Sequence, residues 1–390
     1  MENHRRHAFF WRFLYPVVML ITVIRFNFRT KRKHIKGPFI LVSNHVTDWD
    51  PIFIGATSKD QMYFVASEHI MRLGFVSWLL YTVFKPITRQ KGGSAAGTVK
   101  NILRVVKEGG NVALFPEGNR TWDGVTRDFP ASTGKLVRAS GASLVTYRIN
   151  GGYFASPRWS GNSARHGRVT GDVVHIYSPE ELKTMTVTQI NAAIARDIHE
   201  DAYELQREHP VLFKGKNLAE HLETLLFICP HCGAMHSLES SGDMLRCTKC
   251  GFETRYDPTG FFIGGSPEFT DVRSWSLWQD ERIKELCENA AEGELIFRDS
   301  GFELQSVHEA KGSELLGMGE IRLYRDRLEL PADITLPVAE ITGMGLRGPM
   351  DLYIGTRNGS SFLLHTSKVR NTVKYLTACG FLGGDVGYGV

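Results

Sequence analysis

The sequence predicts an α/β domain, a small four-cysteine module and a β-rich C-terminal domain, in that order along 390 residues. Three observations predict it. Short apolar strands alternate with helical stretches over residues 38–210, two CxxC pairs follow, and beyond residue 320 apolar residues alternate with polar ones. A chain of this length is expected to form two or three domains. The composition, 42% hydrophobic and 23% charged, excludes a disordered chain and a polytopic membrane protein.

Positive charge is concentrated at the N-terminus. The first 36 residues carry nine Lys and Arg against one acid, Glu2, a local charge of +8. Since the whole chain has a charge of +4, residues 37–390 sum to −4. A protein that coats nucleic acid needs positive charge clustered across a folded face. The distribution therefore argues against that class of function.

The basic end also contains the most apolar stretch, FLYPVVMLITVI at residues 13–24. It offers 12 residues without a charge, or 17 from Ala8 with Arg12 inside, whereas a membrane span needs roughly 20. No small-residue cleavage site follows, so we predict an uncleaved, shallowly inserted membrane-attaching segment over residues 1–36. A buried core helix with solvated basic flanks is the alternative. Aromatic residues gathered at one end favour attachment, and basic residues are placed to meet anionic headgroups: Phe9, Phe10, Trp11, Tyr15; Arg5, Arg6, Arg29 and 31–36.

Four of the six cysteines form two CxxC pairs separated by 14 residues, Cys229-Pro-His-Cys232-Gly and Cys247-Thr-Lys-Cys250-Gly. Each pair places two thiolates on one tight turn, and two such turns complete a tetrahedral metal site. We therefore predict a ribbon over residues 224–257 that holds one structural zinc, because four thiolates leave no open position for a substrate. Two disulfides are the alternative, which the isolated Cys287 and Cys379 disfavour.

Residues 37–212 carry the α/β pattern. The stretch 95–108 places four apolar residues on one helical face and stops at Gly109-Gly110. Capping boxes at Ser178 and Thr186 predict two further helices, the second running to about Glu208. Strands are predicted at 39–42, 62–66, 112–115 and 142–149.

Residues 268–390 form the third predicted part, and 261–267 a linker rich in glycine. After a helix around 275–292, residues 320–330 alternate about a polar turn, which predicts a hairpin. Strands at 334–336, 352–354 and 361–365 follow, with a turn at Asn358-Gly359, and a last helix covers 367–379. Several strands capped by one terminal helix resemble a small pleckstrin-homology-like barrel.

The residues with the clearest chemistry follow the first strand, in Asn44-His45-Val46-Thr47-Asp48-Trp49-Asp50-Pro51. A carboxylate bonded to one ring nitrogen fixes a histidine and leaves the other nitrogen as a general base. On a helix the spacing favours Asp48 as the partner of His45, whereas a turn that enters a helix would bring Asp50 to the ring. A helix-capping aspartate beside an unrelated histidine is the non-catalytic alternative.

Two further loops carry groups suited to an anionic ligand. The loop Phe115-Pro116-Glu117-Gly118-Asn119-Arg120-Thr121 follows a later strand, so it is expected to share one edge of the sheet with His45. Gly118 permits close backbone approach, Arg120 suits a phosphate, and Glu117 suits a hydroxyl group. The basic loop 84–92, with Arg89, suits an anion, and a solvated turn is its alternative.

Together these motifs resemble the glycerolipid acyltransferases typified by 1-acyl-sn-glycerol-3-phosphate acyltransferase. The match consists of HxxxxD at His45 and Asp50, the loop with Arg89, and the loop 115–121, in the family's order and spacing. It covers about residues 35–210. It implies His45 as catalytic base and Asp50 as its partner. It also implies Arg89 and Arg120 as phosphate ligands, and Glu117, Gly118 and Thr121 in the acceptor site.

Two positions depart from the family pattern. Position 119 is Asn where the family usually has Thr, and the looser fourth match, strand 144–149 with the following 150–153, lacks its usual Pro. These departures concern the choice of acceptor rather than the chemistry. The zinc ribbon and the C-terminal domain lie outside the resemblance.

The resemblance implies transfer of a fatty acyl group from a thioester, carried by acyl carrier protein or coenzyme A, to the sn-2 hydroxyl of 1-acyl-glycerol-3-phosphate. The product would be phosphatidic acid, in phospholipid biosynthesis. We expect direct transfer without an organic cofactor or an acyl-enzyme, because no motif places a nucleophilic Ser or Cys. Another lysophospholipid or glycerol phosphate remains an alternative acceptor. The apolar segment 73–84 is open to three interpretations: a core helix, an acyl-chain groove or a contact with the bilayer.

Two other classes of function are disfavoured. A non-catalytic lipid-binding scaffold would not need the reactive residues that all three loops retain. Nucleic-acid binding by the ribbon needs a basic stripe, but 224–257 mixes Arg246, Lys249 and Arg255 with acids that include Glu239, Asp243 and Glu253. The uncleaved N-terminus and thiols free to hold zinc favour the cytoplasmic face of the cell membrane.

Overall fold

The computed structural model describes residues 2–31, 34–58, 60–67, 85–89, 96–161, 163–265, 268–308, 312–347, 350–368 and 371–384. The apolar segment 73–84 lies outside the described residues, as do positions 84 and 90–92 of the predicted basic loop. The chain divides into two compact units. The first unit consists of Met1–Pro157 and Ala164–Lys214, and the second consists of Arg158–Ser163 and Gly215–Gly389.

The first unit is built on a six-stranded sheet with the order β3-β2-β4-β1-β5-β6. The first five strands are parallel, and β6 runs antiparallel to β5. The four predicted strands are confirmed, each end within one residue, and β3 and β6 are additional. Because parallel strands share their carboxyl edge, the loops after β1, β4 and β5 are neighbours. The strands are β1 (Phe39–Ser43), β2 (Met62–Ser67), β3 (Ile87–Arg89), β4 (Asn111–Leu114), β5 (Ser143–Asn150) and β6 (Thr170–Tyr177).

Helices of the first unit cover the sheet, and apolar side chains of α3 and α7 share a core with β1, β4 and β5. The predicted helix at 95–108 is confirmed as α3. The helices are α1 (Glu2–Phe26), α2 (Asp50–Thr57), α3 (Ala96–Lys107), α4 (Ser132–Ser140), α5 (Gly152–Ala155), α6 (Pro179–Thr184), α7 (Val187–Ile198) and α8 (Ala202–Glu208).

Both predicted capping boxes are present, at Ser178 before α6 and at Thr186 before α7. The prediction of one continuous helix from Thr186 to about Glu208 is wrong. The first helix ends at Ile198, and the chain begins a new helix after Asp201, whose carboxylate accepts the N–H groups of Tyr203 and Glu204 at 3.1 Å. The intervening Glu200 makes hydrogen bonds elsewhere that a continuous helix would forbid.

The long helix α1 has one face against the unit and one face exposed. Trp11 donates to the Ser58 carbonyl at 3.3 Å, and Tyr15 donates to the Ala56 carbonyl at 3.1 Å. Gly55 of α2 makes room, because a Cβ there would lie 2.9 Å from the Trp11 ring. The opposite face exposes large apolar side chains: Phe9, Phe10, Phe13, Val17, Leu20, Ile21 and Ile24.

One helix among the described residues is long and apolar enough to cross a membrane, by length and composition alone. It is the stretch Phe9–Phe26 of α1, with a mean hydropathy of 1.6.

The cysteine-rich part of the second unit is a four-stranded antiparallel sheet in the order β10-β9-β8-β7. The linker predicted at 261–267 is wrong at its start, because Phe262 and Ile263 pair with Tyr256 and Arg255 and so add an edge strand to this sheet. The helix predicted around 275–292 is present but begins earlier. The elements are β7 (Leu238–Ser241), β8 (Met244–Cys247), β9 (Glu253–Tyr256), β10 (Phe262–Ile263) and α9 (Val272–Asn289).

A seven-stranded antiparallel sheet in the order β14-β13-β12-β11-β17-β16-β15 completes the second unit. The hairpin at 320–330 is confirmed. The long pair β11–β12 and strand β15 were not predicted, because glycines and register shifts interrupt the alternation in those segments. The elements are β11 (Leu295–His308), β12 (Gly312–Tyr324), β13 (Arg327–Leu330), β14 (Ile334–Pro337), β15 (Ile341–Arg347), β16 (Asp351–Thr356), β17 (Ser361–His365) and α10 (Val373–Phe381).

Candidate active site

His45 lies two residues beyond β1, and its ring is bonded to Asp50. The Nδ1 atom of His45 lies 2.8 Å from Oδ2 of Asp50. The Asp50 side chain is fully buried, whereas 20% of the His45 side chain is exposed. The hydrogen-bond network assigns the ring proton to Nδ1, since a carboxylate can only accept it. Nε2 is then the free basic nitrogen, the state required of a general base.

Asp50 is held by the turn that precedes α2. Its Oδ2 accepts the N–H groups of Val46 at 2.7 Å and Thr47 at 3.0 Å, and its Oδ1 accepts the Thr47 hydroxyl at 2.8 Å. These donors fix the carboxylate and, through it, the imidazole. The same turn carries Asp48 away: it is 73% exposed at the side chain and pairs with Arg120 at 3.1 Å.

The loop after β4 meets the histidine from the neighbouring strand. The ring of Phe115 stacks on the imidazole of His45, with centroids 4.3 Å apart and planes 18° apart. Strands β1 and β4 are paired in parallel, so their following loops are brought side by side. Sequence reasoning assigned no role to Phe115, although its place at the start of the loop 115–121 was a usable signal.

Glu117 braces the backbone of this site. Its Oε1 accepts the N–H of His45 and its Oε2 accepts the N–H of Arg127, both at 2.7 Å. The residue is 2% exposed. Burial raises the pKa of Glu117 to about 8, although both hydrogen bonds act to lower it. A direct contact with the acceptor therefore stays a prediction, and the observed contacts are those of a residue that positions His45.

The rest of the loop also holds His45 rather than opening to solvent. The Thr121 N–H donates to the His45 carbonyl at 3.0 Å, and the Thr121 hydroxyl donates to Asp123 at 3.1 Å. Gly118 turns the chain in a left-handed conformation, φ 71°, which a side chain would disfavour. Arg120, 14% exposed at its side chain, reaches the turn between His45 and Asp50 through its pair with Asp48.

Arg89 is the last residue of β3, at the carboxyl edge of the same sheet but at its far end. Two strands separate β3 from β1, which places their axes about 14 Å apart. Burial lowers the pKa of the Arg89 guanidinium. Within residues 85–89 and the other described stretches, no hydrogen bond or ion pair joins Arg89 to another predicted site residue. The structure therefore brings His45, Asp50, Glu117 and the loop through Thr121 together, but not Arg89.

A second buried carboxylate, Glu200, is bonded to the residue that precedes His45. Glu200 accepts the side-chain N–H of Asn44 at 3.0 Å and the backbone N–H of Gly151 at 3.1 Å. Asn44 also exchanges two hydrogen bonds of 2.8 Å with the backbone of Ile149. Asn44 was visible in the sequence beside His45, but no motif or spacing pointed to Glu200.

The four predicted zinc ligands converge in the second unit. Their Sγ atoms all lie within 4.8 Å of one another, with 3.7 Å between Cys229 and Cys250 and 3.8 Å between Cys232 and Cys247. Tetrahedral zinc with ordinary Zn–S bonds requires S···S separations of about 3.8 Å. Gly233 and Gly251, which follow the two CxxC pairs, adopt the left-handed backbone that curls each turn around the site. The geometry therefore fits zinc.

Comparison with known families matches two segments. Residues 23–150 match the family model described as acyltransferase. Residues 222–256 match the zinc-ribbon model described as DNA directed RNA polymerase, 7 kDa subunit. The chain thus contains an acyltransferase-family domain and a zinc-ribbon segment.

Individual relatives match over part of their length. A 1-acyl-sn-glycerol-3-phosphate acyltransferase of Borreliella burgdorferi is 28% identical over 113 residues, 28% of this chain and 44% of the relative. The chloroplastic 1-acyl-sn-glycerol-3-phosphate acyltransferase LPAT1 of Arabidopsis thaliana is 25% identical over 133 residues, 34% of this chain and 37% of the relative. The chain spans less than half the length of these curated relatives.

Among solved structures, the 1-acyl-sn-glycerophosphate acyltransferase PlsC from Thermotoga maritima has a TM-score of 0.42 at 16% identity. The match covers 50% of this chain and 81% of that chain.

Proposed function

We propose that this chain, whose first unit contains an acyltransferase-family domain, transfers a fatty acyl group from a thioester to the sn-2 hydroxyl of 1-acyl-glycerol-3-phosphate. The product is phosphatidic acid. The observation that carries the proposal is the buried Asp50 bonded to the ring of His45 at 2.8 Å, at the carboxyl edge of the sheet. The matched relatives are named for this activity. Acyl carrier protein or coenzyme A carries the donor.

The proposed step needs only the dyad and the two substrates. Nε2 of His45 removes the proton of the acceptor hydroxyl while the hydroxyl oxygen attacks the acyl carbonyl carbon. Asp50, bonded to Nδ1, stabilises the imidazolium that forms. The tetrahedral intermediate then collapses, the C–S bond breaks, and the proton on Nε2 passes to the departing thiolate. The acyl group moves directly, without an acyl-enzyme.

The acceptor phosphate is assigned to Arg120 and Arg89. Arg120 is already held near the catalytic turn by its ion pair with the exposed carboxylate of Asp48. A bound phosphate would take the place of Asp48 as the partner of Arg120, or would bind the same guanidinium beside it. Arg89 stands at the far end of the same sheet edge, so it would reach the phosphate rather than the reacting hydroxyl. We propose that Glu117 and Thr121 fix the backbone of His45. Gly118, which has no side chain, would let the acceptor approach the backbone closely.

Attachment to a membrane is proposed for α1. Seven large apolar side chains are exposed on one face, while Trp11 and Tyr15 fasten the other face to α2. A helix fastened along one side is suited to lie in the interface rather than to cross alone. We propose that α1 attaches the protein to the cytoplasmic face of the cell membrane. The double variant Leu20→Glu with Ile24→Glu should no longer bind anionic vesicles in a flotation assay. Val174→Glu, which changes an exposed apolar residue on β6, should bind like the wild type. Equal binding of the wild type, the double variant and Val174→Glu would refute the attachment.

In the second unit, we propose that the four cysteines hold one structural zinc. The seven-stranded sheet followed by α10 supports a pleckstrin-homology-like barrel for the C-terminal domain. A solved structure in which β14 and β15 remain far apart, so that the sheet does not close, would contradict the barrel.

The catalytic proposal is tested with the purified full chain and a panel of donors and acceptors, with products identified by mass spectrometry. Donors are acyl carrier protein and coenzyme A thioesters, and acceptors are lysophosphatidate, other lysophospholipids and glycerol phosphate. We expect phosphatidic acid, and its loss in His45→Ala. His175→Ala, an exposed histidine on β6 of the same unit, is the matched control. Turnover that survives in His45→Ala would exclude the mechanism, and a chain that consumes no thioester would favour the lipid-binding scaffold.

A further inference from the structure

We propose that Glu200 is a positioning residue for His45, outside every motif that identifies the site. The proposal rests on the proposed function, because it concerns the geometry of the same dyad. Glu200 lies between α7 and α8, beyond the residues that match the acyltransferase family model. It is 3% exposed.

The side chain of Glu200 joins the loops that follow two neighbouring strands. One oxygen accepts the amide N–H of Asn44, which precedes His45 after β1, and the other accepts the N–H of Gly151, which follows β5. Strands β1 and β5 are paired in parallel, so both loops leave the sheet at the same edge. One carboxylate therefore fixes the separation of the two loops.

The backbone of Glu200 reaches a third loop. Its N–H donates to the Thr126 hydroxyl at 2.9 Å, and its carbonyl accepts the Thr126 N–H at 3.0 Å. Thr126 belongs to the segment that continues from the loop 115–121. The next residues add a further tie, since the Ala202 N–H donates to the Gly124 carbonyl at 2.9 Å. The segments after β1, β4 and β5 thus converge on one residue.

These contacts hold the residue that directly precedes His45 in the chain. Asn44 is fixed by Glu200 and by two hydrogen bonds to Ile149, while the N–H of His45 itself is fixed by Glu117. Two consecutive residues of the chain are therefore held by two different buried carboxylates. The imidazole inherits its position from this backbone, and a misplacement of about 1 Å can lower a rate about a hundredfold.

A buried carboxylate is an expensive way to fill this space. Burial raises the pKa of Glu200 to about 8; the Gly151 hydrogen bond and Arg148 lower it, whereas the nearby Asp50 and Glu117 carboxylates raise it. A neutral or apolar side chain would be easier to bury. A residue that costs stability and yet orders a site is expected to show a loss of activity without a loss of stability when its hydrogen-bonding group is replaced.

The test compares Glu200→Gln with Asp197→Asn in the full chain. Asp197 is a matched control, since it is a buried carboxylate three residues earlier that bonds Thr146 and Tyr177 instead of the site loops. We expect Glu200→Gln to lower kcat about ten- to a hundredfold with little change in the acceptor KM and no fall in melting temperature. Asp197→Asn should keep the wild-type kcat. An unchanged kcat in Glu200→Gln, or an equal loss in both variants, would overturn the proposal.

A spectroscopic arm separates this proposal from the proposed function. The nitrogen spectrum of 15N-histidine-labelled protein reports the ring of His45, whose signals are identified by their absence in His45→Ala. We expect the His45 signals to move in Glu200→Gln and to stay in place in Asp197→Asn. Signals that do not move would refute the positioning role. Because no substrate is needed, a wild-type protein without activity would remove the proposed function and leave this test intact.

Discussion

The buried glutamates around His45 in the first unit and the buried Asp299 of the second unit are held in different ways. In the first unit, the hydrogen bonds to the side chains of Glu117 and Glu200 come from backbone and amide N–H groups. In the second unit, Asp299 pairs with the ammonium of Lys374 at 2.5 Å and accepts the Tyr375 hydroxyl at 2.7 Å. The pKa of each glutamate is raised to about 8 by burial. Burial also raises the pKa of Asp299, but Lys374 and Tyr375 outweigh it and the net pKa is lowered.

The difference shows what each buried acidic group contributes. The glutamates join loops that surround His45. The free energy that their burial costs is therefore spent on the geometry of the candidate active site. Lys374, on α10, lies 3.1 Å from a ring nitrogen of His236 in the cysteine-rich part, and three aromatic rings surround its ammonium within 6 Å. That cluster joins β11, the terminal helix and the ribbon of one unit. Buried acidic groups serve geometry around His45 in the first unit and assembly in the Asp299 cluster of the second.

The largest expected effect is removal of the metal from the second unit. Structural zinc contributes roughly 10–16 kcal/mol to the folding of small zinc modules. Cys247→Ser should therefore lower the zinc content from one per chain to none and abolish hydrogen-exchange protection over 222–256. Cys287→Ala, a buried cysteine outside the cluster, should keep the metal. Protection that persists in the metal-free variant would show that the ribbon does not need zinc.

The next effect concerns the dyad of the first unit. Asp50→Asn keeps the shape of the side chain but cannot accept the Nδ1–H of His45 through the same charged oxygen. We expect kcat/KM to fall about 10³- to 10⁴-fold, as when a histidine base loses its carboxylate. Asp60→Asn, a partly exposed aspartate of the same unit, should retain activity. A fall of less than tenfold in Asp50→Asn would contradict the role of the dyad.

The ion pair of the second unit should be costly to break on one side. Lys374→Met leaves Asp299 buried without a cation, which typically costs about 3–5 kcal/mol. The double variant Lys374→Met with Asp299→Leu removes both charges and should recover most of this loss. The measurement is chemical denaturation with a probe in the second unit. If the single and double variants are equally destabilised, packing rather than charge holds the cluster.

The smallest effect is a pH dependence of opposite sign in the two units. A raised carboxyl pKa contributes stability that is present below about pH 4.5 and is lost as pH rises through about 8, so the first unit should weaken towards alkaline pH. A lowered pKa contributes stability above about pH 3.8 that is lost as pH falls, so the second unit should weaken in acid. Hydrogen exchange measured from about pH 2 to about pH 9, which covers both transitions, separates the units.

Single substitutions assign these two trends. Glu117→Gln and Glu200→Gln should each flatten the alkaline decline, and Asp299→Asn should flatten the acid decline. Parallel pH profiles in both units, unchanged by these substitutions, would remove the electrostatic distinction between them.

The sequence predicted most of the first sheet and the cysteine cluster because their signals are local. Strands β1 and β4 are short apolar runs, and CxxC spacing already encodes a turn. Local spacing could not choose between Asp48 and Asp50, because the choice depends on a turn whose N–H groups bind Asp50. Glu200 gave no signal, since its partners lie 49 and 156 residues away along the chain. The break between α7 and α8 was missed for the same reason: Glu200 leaves the helix to make those contacts.

Helix α2 has one more consequence. Asp50 is its first residue, and Gly55 and Ala56, near its other end, receive the side chains of Trp11 and Tyr15 from α1. Eight helical residues span about 12 Å. If α1 lies in the bilayer surface, the length of α2 sets the distance between the His45 imidazole and the lipid. For the proposed acceptor, the length of this one short helix would then set the depth at which the glycerol backbone meets His45.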